Sequence, residues 1–255
     1  MGLAEVEFRD TAAIVTMRGE EPGHRLSSAM AEEVRAAIER AGAEPHVRAL
    51  ILQGAGVHFS VGADLKERAA LPAKRWKEHH EIFERLAATL QAIPQPTIAA
   101  VRGWALGGGA ELALGCDIVV ASSDARIGQP EALRGLVPGM GGPQFLQRRL
   151  PHGLAAYMLY TGAPIRAAEA LTLGLVTFVD EDPLARALAI AAEIAKAAPG
   201  AVRALRRLLQ REPANFADAY AEELAAWRQA VESGDAAEGA QAFIGKRPAV
   251  FRDPS

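Results

Sequence analysis

The apolar positions along this chain switch between two periods. Residues 6–8 and 13–17 carry short apolar runs around the turn-forming pair Asp10 and Thr11, which predicts an opening hairpin. Met30, Val34, Ala37, Ile38 and Ala41 then recur at helical spacing. Ser27 or Ser28 would cap that helix, Glu32 and Glu33 would fall in its first turn, and Gly42 would close it. Residues 47–53 read as a buried strand running into a turn-rich stretch at 54–64. Residues 65–92 are helical but dense in charge, including Lys66, Glu67, Arg68, Lys74, Arg75, Lys77 and Glu78, which predicts a solvated connection.

The order of strand, glycine-bearing loop and helix then repeats. Residues 96–101 form a β-branched apolar strand, Gly107, Gly108 and Gly109 follow, residues 111–115 read as a short apolar helix, and 118–121 as the next strand. A second loop covers 128–142. Beyond it, helices are expected over 143–150, 152–160, 167–173, 184–198, 200–210 and 215–232, with one more strand at 175–179. Strands early and helices late predict an α/β core followed by a helical layer, with a boundary near residue 195.

Length and composition narrow the possibilities. A chain of 255 residues, half of them hydrophobic, can bury one large core. A net charge of −3 supplies no positive field for nucleic acid or an anionic membrane surface. The lone Cys116 excludes an internal disulfide framework and a multi-cysteine metal site, which suits a reducing compartment such as the cytosol. The first residues lack a long apolar core and no later run is long and apolar enough to span a bilayer, so neither export nor membrane insertion is expected.

Candidate chemistry gathers at the glycines. The loops at 54–64 and 103–109 both follow buried strands and should open at the same edge of the core. Each can present a backbone N–H, and two such donors converging on one oxygen make an oxyanion hole. Taken singly, loop glycines serve tight turns; the carboxylates change the weight. Glu111 lies in a segment otherwise apolar enough to be buried, and Glu131 is its candidate partner. Desolvation favours the neutral form of each, and mutual repulsion resists double ionisation, so such a pair can share protons near neutral pH. Alone, Glu131 reads equally well as a charge at the start of a helix.

Other patterns carry less. His58 stands where a nucleophile elbow needs its first glycine, so Ser60 reads as a loop residue. No glycine run fits a dinucleotide or phosphate-loop motif, and His79-His80-Glu81 lacks metalloprotease spacing, so both histidines read as solvated. Trp76, Trp104 and Trp227 read as packing.

Five motifs in order, FSVGADLKE at 59–67, VRGWALGGGAEL at 101–112, IGQPE at 127–131, GLVPGMGG at 135–142, and YTG at 160–162 with GLV at 174–176, resemble the crotonase superfamily, the enoyl-CoA hydratase/isomerase family. The resemblance implies an α/β fold, a spiral of ββα units in two crossed sheets at 1–195, followed at 196–255 by a C-terminal helical region used for assembly into a trimer or a dimer of trimers. It implies that the N–H groups of Ala63 and Gly108 hold a thioester carbonyl, that Glu131 exchanges a proton with the α-carbon, and that Glu111 activates water. It places the coenzyme A arm near Ala63, Asp64, Leu65 and Lys66, Gly139 near the bound water, and Phe243 and Lys246 within reach of coenzyme A in the same or a neighbouring subunit.

The implied reaction is hydration of a 2-enoyl-CoA or its reverse, with no cofactor beyond the coenzyme A of the substrate. The alternatives are double-bond isomerisation and a non-catalytic CoA- or RNA-binding role. Three departures stand out: His24-Arg25-Leu26-Ser27 in place of an Asn-Ala-Leu motif, Pro143 after Gly141-Gly142 where threonine is usual, and Arg134 at a commonly apolar position. Arg134 either makes the acyl pocket more polar or, more prosaically, is a surface or subunit-contact residue.

Overall fold

The computed structural model describes residues 2–19, 23–210, 223–225, 227–229 and 232–251. Strands β1 (Ala4–Arg9) and β2 (Ala12–Met17) pair antiparallel, with Val6 opposite Val15. From β2 onward the sheet is parallel, running through β3 (Ala49–Gly54), β4 (Thr97–Val101), β6 (Ile118–Ala121) and β9 (Phe178–Val179). A second sheet joins β5 (Trp104–Leu106) to β7 (Arg126–Gly128) in parallel and β7 to β8 (Ile165–Arg166) antiparallel. Its strands are two or three residues long, too short for a period-two pattern, and went unpredicted.

The large sheet is buried on both faces, which is why its strands read as continuous apolar runs. Alternate residues divide between two cores. Val15, Leu50, Leu52, Ala99, Val101 and Val119 face one side, under α1 (Ser28–Ala43) and α3 (Trp76–Ala92). Ile14, Ile51, Ile98, Ala100 and Val120 face the other, under α8 (Pro183–Ile194), which contributes Ala187 and Ala191.

Local details correct some expectations. Ser27 caps α1, its side chain accepting from the Met30 N–H. Glu32 and Glu33 lie beyond the first turn, and the Glu33 carboxylate instead accepts the N–H groups of Leu3 and Ala4, tying β1 to the helix. The helix runs through Gly42 to Ala43. The charged stretch 65–92 is not simply solvated. Helix α2 (Leu65–Ala70) lacks buried residues, whereas α3 buries His79, Phe83, Leu86 and Leu90 along one stripe and packs on α1. His79 is therefore a core-facing residue, its ring 5.2 Å from Phe83.

Helices α4 (Gly108–Gly115), α5 (Gly142–Arg149), α6 (His152–Thr161) and α7 (Ala167–Thr172) follow the expected order, and the strand expected at 175–179 contracts to β9. Of the helix expected at 215–232, residues 223–225, 227–229 and 232 are helical and the others lie outside the described residues. Trp76 and Trp227 are exposed rather than packed. No helix among the described residues is long and apolar enough to cross a membrane.

Helix α9 (Pro199–Gln210) is locked to this core by Arg206. Its buried guanidinium donates to the carbonyls of Leu90, Gln91 and Ile93, the orphan acceptors at the end of α3, and pairs with Asp117 at 2.7 Å. Asp117 also accepts from the Thr97 N–H and hydroxyl, so one ion pair joins α3, β4 and α9. Removing one member of a buried pair strands the other, at about 3 kcal/mol or more. Arg206→Ala should therefore lower Tm by roughly 6–12 °C in thermal denaturation; a fall of only about 1–2 °C would show that the network is not structural.

Candidate active site

Because β3 and β4 are parallel neighbours, the loops after them leave the same edge of the sheet. Ser60 pairs with Ala105 and Ala63 with Leu26, so the first loop is held on both sides. The Leu26 N–H donates to the Gly62 carbonyl, the Asp64 N–H to the Leu26 carbonyl, and the Leu106 N–H to the Ser60 carbonyl. Such close approach of two backbones leaves no space for a Cβ. At Gly62, with φ +84°, one would lie 2.6 Å from the Leu106 carbonyl oxygen, and at Gly109 it would lie 2.3 Å from that of Ser60. An added Cβ at Gly108 would sit 4.0 Å from the Ala63 nitrogen, and one at Gly62 3.2 Å from the Gly108 nitrogen, so the two loops meet at these residues. Among the described residues neither the Ala63 nor the Gly108 N–H is engaged by another acceptor.

Both carboxylates face the same space. Glu111, in the first turn of α4, is 4 % exposed, and its Oε1 accepts the N–H groups of Met140 at 2.7 Å and Gly142 at 2.8 Å. Those amides open α5, whose capping residue Gly141 has no side chain to offer, so Glu111 caps the helix from outside. Burial still pushes its pKa upward, against those hydrogen bonds. Glu131 begins a 3₁₀ turn (Glu131–Arg134) and is half-buried. Burial, reinforced by the Glu111 charge, raises its pKa to about 7, while its own backbone N–H, Arg134 and Arg68 pull it down. With its amide turned to satisfy both groups, the fully buried Gln129 donates to Glu131 at 3.1 and 3.2 Å.

The space between them is a chamber of about 120 Å³ lined by Ala63, Gly108, Glu111 and Glu131, with Leu26, Phe83, Leu106 and Met140 as apolar walls. Paired amides beside two carboxylates of raised pKa can hold an oxyanion and move protons next to it. Comparison with known proteins gives the same direction. Residues 7–254 match the Enoyl-CoA hydratase/isomerase family.

This chain belongs to the enoyl-CoA hydratase/isomerase family.

A relative, the short-chain-enoyl-CoA hydratase of Clostridium acetobutylicum, is 35% identical over 246 residues, 95% of this chain and 94% of that one. Among solved structures, an enoyl-CoA hydratase from Bacillus anthracis superposes with a TM-score of 0.94 at 33% identity, covering 99% of this chain and 100% of that chain. One from Mycobacterium tuberculosis gives 0.90 at 32% identity, covering the whole of both chains. The crotonase fold expected from the motifs is the fold of this chain.

Within that family frame the expected residues fall in several places. Ala63, Leu65, Gly108, Glu111, Glu131 and Gly139 line the chamber. Asp64 caps α2, accepting the N–H groups of Lys66 and Glu67, and Lys66 is exposed. The side chain of Phe243 lies outside the described residues, and Lys246 is exposed at the end of a last helix, α10 (Asp235–Ile244). Ser60 is no nucleophile: its buried hydroxyl donates to the His24 carbonyl and accepts the Gly62 N–H. Burial pushes the Cys116 thiol up to about 12, which leaves it inert. Among the described residues no cluster suited to a metal ion occurs.

Two departures have local explanations. His24 stands at φ +46°, a left-handed conformation that asparagine and histidine adopt more readily than most residues. Pro143 occupies the first turn of α5, where its missing N–H leaves no helical bond unmade. Sequence reasoning missed Gln129, Arg68 and the amide clamp on Glu111; for Gln129 the one available signal was a polar side chain two residues from a candidate carboxylate.

The raised pKa of Glu131 has a stability consequence. An unfolded chain releases this proton near 4.5, the folded one near 7, so folded stability falls as pH rises through that window. Glu131→Gln abolishes the ionisation. Its Tm relative to the parent should therefore climb between about pH 4 and pH 8, by a few degrees, roughly 1 kcal/mol after solvent screening. Parallel curves of Tm against pH would contradict the buried, proton-retaining carboxyl.

Proposed function

We propose that this chain is an enoyl-CoA hydratase that adds water across the 2,3 double bond of an enoyl-CoA thioester, and runs the reverse dehydration, through an enolate. The carrying observation is that two free backbone amides and two carboxylates of raised pKa line one chamber. The Ala63 and Gly108 N–H groups receive the thioester oxygen and bind it more strongly as it becomes an enolate oxygen. Donors fixed in advance in a water-poor site are worth about 3 kcal/mol each.

The carboxylates divide the water molecule. Glu111 uses Oε1 for the Met140 and Gly142 amides, which leaves Oε2 to take a proton from water as its oxygen bonds to the β-carbon. Glu131, protonated at the start, delivers its proton to the α-carbon. The product is the 3-hydroxyacyl thioester, with Glu131 ionised and Glu111 protonated. Return of one proton from Glu111 to Glu131 resets the pair, and dehydration follows the same path backwards. Both directions need the pair to hold a single proton. Isomerisation would ask only Glu131 to carry a proton and would leave the Glu111 Oε2 without a task.

The coenzyme A arm is placed along Ala63–Lys66, and the helices beyond residue 195 are proposed to build a trimer or a dimer of trimers in which Phe243 and Lys246 approach coenzyme A. No metal or redox cofactor enters this scheme, no nucleic acid or membrane partner is invoked, and the cytosol is the proposed compartment, in keeping with the single inert thiol.

Glu131→Gln should leave acyl-CoA binding in place and lower kcat for hydration by about 10³-fold, the scale of a lost general acid; a variant within tenfold of the parent would remove Glu131 from the mechanism. The logarithm of kcat/KM against pH should be bell-shaped, with the alkaline limb at or above about 7, where the pair loses its last proton. A profile that only rises across that range would contradict the shared proton.

A further inference from the structure

The chamber carries two cations that the hydration scheme does not use. Arg68 lies one turn after Leu65 on α2, and both line the chamber. Arg134 ends the 3₁₀ turn that Glu131 begins and lines it too. Both are close enough to Glu131 to oppose its protonation. Nearby arginines are paired: Arg25 with Asp64, Arg75 with Glu78, Arg85 with Glu32. Arg68 and Arg134 form no such close ion pair among the described residues. The Arg68 Nε is buried without a hydrogen-bond partner, and the Arg134 Nη1 donates to the Pro130 carbonyl at 2.9 Å.

Arg134 is exposed at the rim, whereas Arg68 is half-buried among chamber residues that include Leu26 and Phe83, where a guanidinium loses hydration that an alkyl tail cannot replace. A carboxylate replaces it with charge-assisted, potentially bidentate hydrogen bonds. The surroundings also limit chain length. Arg68, His80, Leu136 and Val137 line both the chamber and an outer cavity of about 400 Å³, which Lys77, Glu81 and Glu84 line as well. A long anionic tail would pass the two arginines and meet those glutamates; a short one stops beside Arg68 and Arg134.

We propose that Arg68 and Arg134 form a carboxylate subsite, and that the acyl group is a short 2-enoyl chain ending in a carboxylate, the monothioester of an unsaturated dicarboxylic acid. This rests on the hydratase reading of the same chamber. The phosphates of coenzyme A are the competing anion, and a comparison of two thioesters that share the coenzyme A arm cancels them.

The test is calorimetric binding of glutaryl-CoA and pentanoyl-CoA, saturated five-carbon thioesters that differ only in the terminal carboxylate. Glutaryl-CoA should bind the parent at least about tenfold more tightly, with Arg68→Met and Arg134→Leu each reducing that ratio about tenfold, the scale of one charge-assisted hydrogen bond. Because both ligands are measured on one preparation, partial misfolding does not alter the ratio. Equal or tighter binding of pentanoyl-CoA, a ratio that survives both substitutions, or equal weakening of both ligands would overturn the subsite. Hydration of 4-carboxybut-2-enoyl-CoA and 2-pentenoyl-CoA separates the two readings. Turnover of the neutral chain without the binding preference sinks the subsite alone, whereas the binding preference without turnover of either chain sinks the hydratase reading and leaves the subsite.

Discussion

A buried carboxylate held by two backbone amides is the constraint on which the site depends. Glu111 cannot be accommodated at 4 % exposure without strong partners, and it finds them at the open end of α5. The same bonds position α5 and the turn before it, which bring Met140 and Gly139 to the chamber wall. One interaction thus keeps an ionisable group in an apolar helix and fixes Gly139 and Met140 at the chamber wall, with the Met140 sulfur beside Gly108. Desolvation still outweighs the amides, so its pKa lies above the usual carboxylate value.

Much of this was legible in the residues, and the exceptions have physical causes. The long buried strands announced themselves because both faces are apolar, and the glycine loops because only glycine permits the backbone contacts at Gly62 and Gly109. The small sheet did not, since strands of two or three residues have no period to read. His79 was misplaced because its neighbours are charged, although its spacing to Phe83, Leu86 and Leu90 marks the buried stripe of α3. Glu111 stood out as an anomaly, but its excuse lay about 30 residues away, in amides whose direction no side-chain pattern reveals. Arg68 was read as one charge in a solvated run, and only the three-dimensional arrangement sets it beside Arg134 and Glu131.

The electrostatics of the chamber are a balance of opposed effects. Burial and the neighbouring carboxylate push Glu131 toward neutrality, while Arg68 and Arg134 pull it toward ionisation, and the outcome lies close to physiological pH. A substrate carboxylate seated between those arginines would neutralise part of their pull and raise the proton affinity of Glu131 as the site fills. Recognition of the acyl end and readiness of the acid would then be coupled through the same two guanidiniums.

The division of labour between the carboxylates is tested most directly by α-hydrogen exchange of a saturated acyl-CoA in deuterated water, a reaction that needs the amide pair and one base but no water addition. Glu111→Gln should keep this exchange while losing hydration, and Glu131→Gln should lose both. Exchange at the parent rate in Glu131→Gln, or its loss in Glu111→Gln with the fold intact, would contradict the assignment of the α-proton to Glu131.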